Sequence, residues 1–135
     1  AGEINRKMTE NISHRIAKAL NDDGKSVRDS KIMILGIAYK KDIDDMRESP
    51  ALRIMDLLKY KGANLVYHDP FVKNLESQNS TELSVKNIKE QDAIVITTDH
   101  SNVDYKMIGE NAKLIVDTRN VMSKIKNPKA RIIKA

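Results

Sequence analysis

The segment Gly36-Ile37-Ala38-Tyr39-Lys40-Lys41-Asp42-Ile43-Asp44-Asp45-Met46-Arg47-Glu48-Ser49-Pro50 gathers two adjacent lysines, three aspartates and an arginine. Lys40 and Lys41 are suited to neutralising a diphosphate. Arg47 is suited to gripping a phosphate or carboxylate at two points, because a guanidinium presents paired N–H donors in a plane. Tyr39 beside Lys40 sets an aromatic face next to a cation, a combination that suits stacking on a base or sugar. A plainer arrangement uses the same residues. The lysines would pair with Asp42, Asp44 and Asp45 in an exposed salt-bridge cluster, and Tyr39 would pack on the next helix. The residues by themselves leave both open.

Gly36 is the only glycine in this turn, and neither G-x-G-x-x-G nor G-x-x-x-x-G-K-[ST] occurs. The close backbone approach that a dinucleotide's pyrophosphate needs is therefore not provided, and anion contacts would come from side chains. A second candidate is Asp117-Thr118-Arg119-Asn120. Arg119 there either converges with Lys40 or is a solvated arginine on a capped turn. A third is Thr97-Thr98-Asp99-His100-Ser101. Neighbouring Asp99 and His100 seldom make a productive acid–base pair, so Asp99 or Ser101 is expected to cap a helix instead. His14, His68 and His100 are too scattered to suggest a metal site, and His68-Asp69-Pro70 reads as a turn ending a strand.

These residues need elements to hold them. Ile32-Met33-Ile34-Leu35 reads as a buried strand before the charged loop, and Ser49 to Lys61 as the helix after it, with Ser49 at the N-cap, Pro50 at the first helical position and Gly62 just past the end. Asn64 to His68 follows as a strand, giving a β-loop-α-β unit that favours a parallel pair. Phe71 to Leu83 is expected to be a loop with a short turn or helix, and Val85 to Gln91 a weak helix. Ala93-Ile94-Val95-Ile96-Thr97-Thr98 is a continuous run suited to a strand buried on both faces. Tyr105 to Asn111 predicts a short helix, Lys113 to Asp117 a fourth strand and Arg131 to Lys134 a fifth. Ahead of all this, Ile4, Met8, Ile12, Ile16 and Leu20 draw one apolar stripe along a helix stopped by Asn21-Asp22-Asp23-Gly24. That stripe either covers the domain's own sheet or meets a partner. The alternation predicts an α/β, Rossmann-like three-layer domain with a mainly parallel sheet, preceded by an N-terminal helix.

A chain of 135 residues suits one such core. The apolar runs fall far short of the roughly 20 residues that cross a bilayer, and no signal peptide is evident. With no cysteine there is neither a disulfide framework nor a thiol nucleophile. A cytoplasmic protein with no membrane partner is the expectation. The net charge of +5 is dispersed, and the basic C-terminal stretch lacks interleaved aromatics, so no nucleic-acid partner is expected. Residue 1 is not methionine, and the chain is read as a segment of something longer.

Taken in order, Leu35 to Asp42, Asp45-Met46-Arg47-Glu48-Ser49-Pro50, Tyr67-His68-Asp69-Pro70, Thr98-Asp99-His100 and Asp117-Thr118-Arg119-Asn120 closely resemble the C-terminal domain of the UDP-glucose/GDP-mannose dehydrogenase family. The resemblance covers nearly the whole chain and is weakest across residues 71–90 and after Ser123. It implies residues 1–24 as the end of the family's central, dimer-forming helical region, and residues 25–135 as the nucleotide-sugar (UDP)-binding domain. It also implies an NAD-dependent oxidation of the C6 alcohol of a UDP-sugar to a carboxylate, through a thioester on a cysteine held elsewhere in the parent chain. By resemblance Tyr39, Lys40 and Arg119 contact the UDP-sugar, and Arg47 reaches NAD bound mainly by an N-terminal domain. The wording around Asp44 to Pro50 is closest to the UDP-N-acetylglucosamine 6-dehydrogenase branch, with UDP-glucose and UDP-N-acetylmannosamine left open. Where relatives often carry proline after the methionine of the first helix, this chain has Met8-Thr9, which leaves the helix unbroken. A different class of reading is a stand-alone α/β interaction module that dimerises through that helix.

Overall fold

The computed structural model describes residues 2–38, 49–75 and 78–135, with residues 2–5 described by their backbone alone. Helix α1 (Gly2–Asp22) leads into strand β1 (Lys31–Leu35), helix α2 (Pro50–Tyr60) and strand β2 (Asn64–His68). Two short strands follow, β3 (Asn74–Leu75) and β4 (Gln78–Asn79), then helix α3 (Val85–Lys89) and strand β5 (Ala93–Ile96). Helix α4 (Tyr105–Asn111), strand β6 (Leu114–Asp117), a single 3-10 turn (Val121–Lys124) and strand β7 (Arg131–Lys134) complete the chain.

The five longer strands form one parallel sheet in the order β2-β1-β5-β6-β7. Its register sets Met33 beside Val66 on one side and beside Ile94 on the other. Because side chains alternate across a strand, Ile32 and Ile34 face α1 and α2, whereas Met33 and Leu35 face α3, α4 and the 3-10 turn. Strands β5 and β6 are buried along their whole length, which is why β5 and the first three residues of β6 read as unbroken apolar runs. The result is the expected three-layer α/β, Rossmann-like domain.

Helix α1 settles the apolar stripe in two parts. Ile12, Ile16 and Leu20 are buried with Ile54 and Leu58 of α2 against the sheet, while Met8 remains 43% exposed. Arg131 donates to the Ala19 carbonyl at 2.7 Å and to Asp23 at 3.0 Å, and Arg15 donates to the Lys134 carbonyl at 3.2 Å. The helix is thereby fastened to the far edge of the sheet. It runs unbroken past Met8-Thr9, with the Thr9 hydroxyl turned back onto the Arg6 carbonyl at 2.8 Å. Ile16→Val should cost about 0.5–1.5 kcal/mol in urea unfolding. No measurable loss would mean that this half of the stripe is not part of the core.

Helix α2 begins and ends where its sequence places it. Ser49 is the N-cap and Pro50 the first helical residue. At the other end the Gly62 N–H donates to Lys59 O at 3.0 Å and the Ala63 N–H to Leu58 O at 3.1 Å, with Gly62 at φ +96°. That pair of bonds is the Schellman termination, which needs the left-handed glycine. The 71–83 stretch differs from expectation, because β3 and β4 pair as a small antiparallel hairpin, Leu75 opposite Gln78. The hairpin is drawn to the exposed polar edge of β2: Gln78 donates its side-chain amide to Leu65 O at 3.1 Å, and the Thr81 N–H reaches Tyr67 O at 2.6 Å. A run with little local periodicity acquires its shape from that edge. The central strand stops at Ile96, two residues short of the expected end at Thr98.

Candidate functional site

The strand order fixes where a ligand crevice belongs. From β1 the chain moves outward to β2, then crosses back to place β5 on the other side of β1. Loops leaving the carboxyl ends of β1 and β5 consequently diverge, and open α/β sheets bind ligands in the gap between such loops. The charged loop leaves β1, and Thr97-Thr98-Asp99-His100 leaves β5.

The β1 turn is held very tightly. Gly36 has φ +97°, and a Cβ built on it would lie 2.5 Å from Thr98 Cβ and 2.7 Å from the Thr98 nitrogen. Its own N–H donates to His68 O at 2.9 Å. Thr97 donates its hydroxyl to the Gly36 carbonyl and Thr98 to the Ala38 carbonyl. At the exit of the charged loop, the Ser49 hydroxyl donates to the Ile37 carbonyl. Ser49 thus occupies the expected N-cap position, but its side chain closes the base of the loop and makes no bond to α2.

Asp69 stands at the centre of this arrangement, with its side chain wholly buried. Oδ2 accepts the N–H groups of Ile37 at 2.7 Å and Ala38 at 3.0 Å, and lies 3.0 Å from Nε2 of His100, while Oδ1 accepts the Phe71 N–H at 2.8 Å. A carboxylate only accepts, so Nε2 of His100 carries the hydrogen. Burial pushes the Asp69 carboxyl upward, but the N–H donors of Ala38, Phe71 and Ile37, with His100, outweigh it and hold the group below the ordinary carboxylate value. The His100 ring also packs on Phe71 with centroids 4.8 Å apart, and its carbonyl accepts the Tyr105 hydroxyl at 2.8 Å.

Arg119 leaves the end of β6. Its main-chain N–H donates to Asp117 Oδ1 at 3.0 Å, and the Met122 N–H donates to Oδ2 at 2.8 Å, so buried Asp117 shapes the turn that presents the arginine. Asn120 follows at φ +59°. The exposed Arg119 side chain bends towards β5, where Nε donates to Thr97 O at 3.0 Å. Since Thr97 also bonds Gly36, the arginine sits one residue removed from the β1 turn. Tyr39, Lys40 and Arg47 lie outside the described residues, as do Lys41, Asp42, Asp44 and Asp45.

Two elements of the site escape a reading along the chain. Helix α4 is capped by Asp104, which accepts the Met107 N–H at 3.0 Å, and not by Asp99 or Ser101. His100 pairs with Asp69, 31 positions away, instead of with its neighbour. The available signal is topological: β2 and β5 flank β1, so the residues just after them face each other across its turn. Among the described residues no three potential metal ligands gather.

The chemistry of this crevice is bounded by its amides. The Ile37 and Ala38 N–H groups, which a dinucleotide fold aims at pyrophosphate, are already bonded to Asp69. The β1 turn therefore does not fit the pyrophosphate of NAD.

Comparison with known proteins converges on one family. Residues 33–124 match the UDP-glucose/GDP-mannose dehydrogenase family, UDP binding domain. The UDP-N-acetyl-D-mannosamine dehydrogenase of Pyrococcus horikoshii is 33% identical over 127 residues, covering 90% of this chain and 29% of that protein. The UDP-glucose 6-dehydrogenase of Rhizobium meliloti is 32% identical over 117 residues, covering 79% of this chain and 27% of that one. Among solved structures, that of the UDP-N-acetyl-D-mannosamine dehydrogenase from Pyrococcus horikoshii superposes with a TM-score of 0.78 at 29% identity, covering 97% of this chain and 32% of the other. The chain thus spans under a third of the length of these relatives. A parallel sheet with its crevice at the β1–β5 divergence, and a sequence match over the strands and turns that build it, together establish that this chain belongs to the UDP-glucose/GDP-mannose dehydrogenase family.

Proposed function

We propose that this chain is the C-terminal substrate-binding domain of an NAD-dependent nucleotide-sugar 6-dehydrogenase. That enzyme would oxidise the C6 hydroxyl of a UDP-sugar, of the UDP-N-acetylglucosamine or UDP-glucose type, to the carboxylate for polysaccharide biosynthesis in the cytoplasm. Residues 25–135 form the UDP-binding unit, and residues 1–24 belong to the central region through which the parent enzyme forms a homodimer. Tyr39, Lys40 and Arg119 hold the UDP-sugar. Arg47 faces NAD, which is bound mainly by the N-terminal domain, and the nucleophilic cysteine comes from the same remainder of the chain. What NAD supplies is the acceptor for hydride.

The observation that carries this reading is the β1 turn, whose amides are engaged by Asp69 beside the arginine that leaves β6. Such a crevice suits an anionic ligand gripped by side chains and does not suit one cradled by backbone. In the full-length enzyme, Lys40→Ala and Arg119→Ala should each raise the sugar-nucleotide KM about ten- to a hundredfold, with a smaller effect on the NAD KM. Loss of one charge-assisted contact costs roughly 1.5–3 kcal/mol. Equal effects on both substrates would count against the assignment. The 135-residue chain alone should show no turnover, and turnover by it would refute this division of labour.

A further inference from the structure

We propose that Asp69 and His100 are positioning residues for the nucleotide-sugar site: by fixing the Ile37–Ala38 backbone they set the entrance of the charged loop against the turn that holds Arg119. The inference rests on the function proposed above. Asp69 belongs to the end of β2 and His100 to the end of β5, the two strands that flank β1. The pair therefore bridges three elements over the point where the loops diverge. One carboxylate oxygen binds two successive amides and an imidazole, and the other turns back to Phe71.

Ile37 and Ala38 are held from both sides of their peptide groups. Their N–H groups face Asp69, while their carbonyls accept Ser49 and Thr98 hydroxyls. The residue after Ala38 is Tyr39, followed by Lys40, so this clamp sets the origin of the segment that carries both candidate ligand contacts. Through Thr97, bonded to Gly36 and accepting from Arg119, the same clamp sets the distance to the arginine. A buried Asp–His pair of this kind resembles catalytic machinery in composition. Here the Asp69 and His100 side chains are 0% and 1% exposed, and the carboxylate is engaged by three backbone N–H groups as well as by His100, which suits holding a turn.

The test uses the full-length protein, with UDP as the probe. His100→Phe keeps a ring against Phe71 and removes the Nε2–H, whereas His100→Gln returns an amide N–H close to the same point. Asp69→Asn keeps the shape but leaves too few acceptors for all four donors. The expected results are about tenfold weaker UDP binding by calorimetry for His100→Phe and Asp69→Asn, and affinity within about threefold of wild type for His100→Gln. Hydrogen exchange at the Ile37 and Ala38 amides should accelerate in Asp69→Asn. A purely structural role would lower the melting temperature of His100→Phe and His100→Gln alike without separating their affinities. Unchanged exchange and unchanged UDP affinity in folded variants overturn the proposal. Should either variant fail to fold, Thr98→Val removes one hydroxyl of the clamp at constant shape, and undiminished UDP affinity there overturns it as well. A wild-type protein with no affinity for UDP would overturn the functional reading, while accelerated exchange in Asp69→Asn would still uphold the hold on the turn.

Discussion

Gly36→Ala is expected to destabilise the protein by about 3 kcal/mol or more, measured by urea unfolding at neutral pH. Two costs combine. At φ +97° an L-residue is strained by roughly 1–2 kcal/mol. The new methyl would also meet Thr98 Cβ at 2.5 Å, its nitrogen at 2.7 Å and its carbonyl oxygen at 2.8 Å. Two of those three atoms are backbone of the strand-ending turn, so relief cannot come from a rotamer change, and overpacking adds roughly 1–3 kcal/mol. The displaced Thr97 and Thr98 hydroxyls would also lose the Gly36 and Ala38 carbonyls. A loss below about 1 kcal/mol would mean that β1 and β5 can part at this end, against the close approach described. Gly36 is thus required by contact with a neighbouring turn, where a dinucleotide fold would need it for contact with phosphate.

Asp69→Ala is expected to cost about 3–5 kcal/mol, because it leaves three backbone N–H groups and His100 without their acceptor in a buried place. The pH dependence carries a definite sign. The folded-state pKa of Asp69 is lowered, since its four donors outweigh the burial that would raise it. Its ionisation therefore contributes stability that is fully present above the unfolded value of about 4, and that contribution is lost as pH falls through the folded-state pKa. The gap in unfolding free energy between wild type and Asp69→Ala should be smaller at pH 3 than at pH 5. A gap that grows on acidification would contradict the ionised assignment. In wild type the first hydrogen bonds to weaken would be those at Ile37 and Ala38, so acid should loosen the β1 turn before the apolar core.

Most of the fold was legible in order along the chain, because each element has a local cause. Tyr105 to Asn111 forms a helix over those very residues, Pro50 starts α2, and Gly62 ends it with the paired bonds that a left-handed residue allows. Residues 32–35 of β1, all of β5 and residues 114–116 of β6 are apolar because helices cover both faces of their sheet. Residues 71–83 were not legible, since their hairpin answers to the open edge of β2 and not to any periodicity of its own. The candidate site divides in the same way. Arg119 is picked out by its place just after a strand in a parallel sheet, and the structure brings it within hydrogen-bonding distance of Thr97. Asp69 and His100 are not picked out, because the contacts that matter, with each other and with the Ile37 and Ala38 amides, join residues 31 or 32 positions apart.

By itself the sequence determined the class of sheet, the positions of its strands and helices, and the absence of a glycine-rich phosphate cradle after β1. Those properties depend on residue type, spacing and backbone freedom over a few neighbouring positions. Only the tertiary structure decided what the turn after β1 does with its amides. Crossing from β2 back to β5 sets Asp69 and His100 face to face across 31 residues, and their pairing turns two potential phosphate donors into fixed supports. A buried carboxylate must find several donors at once, and folding brings those donors together from three strand ends.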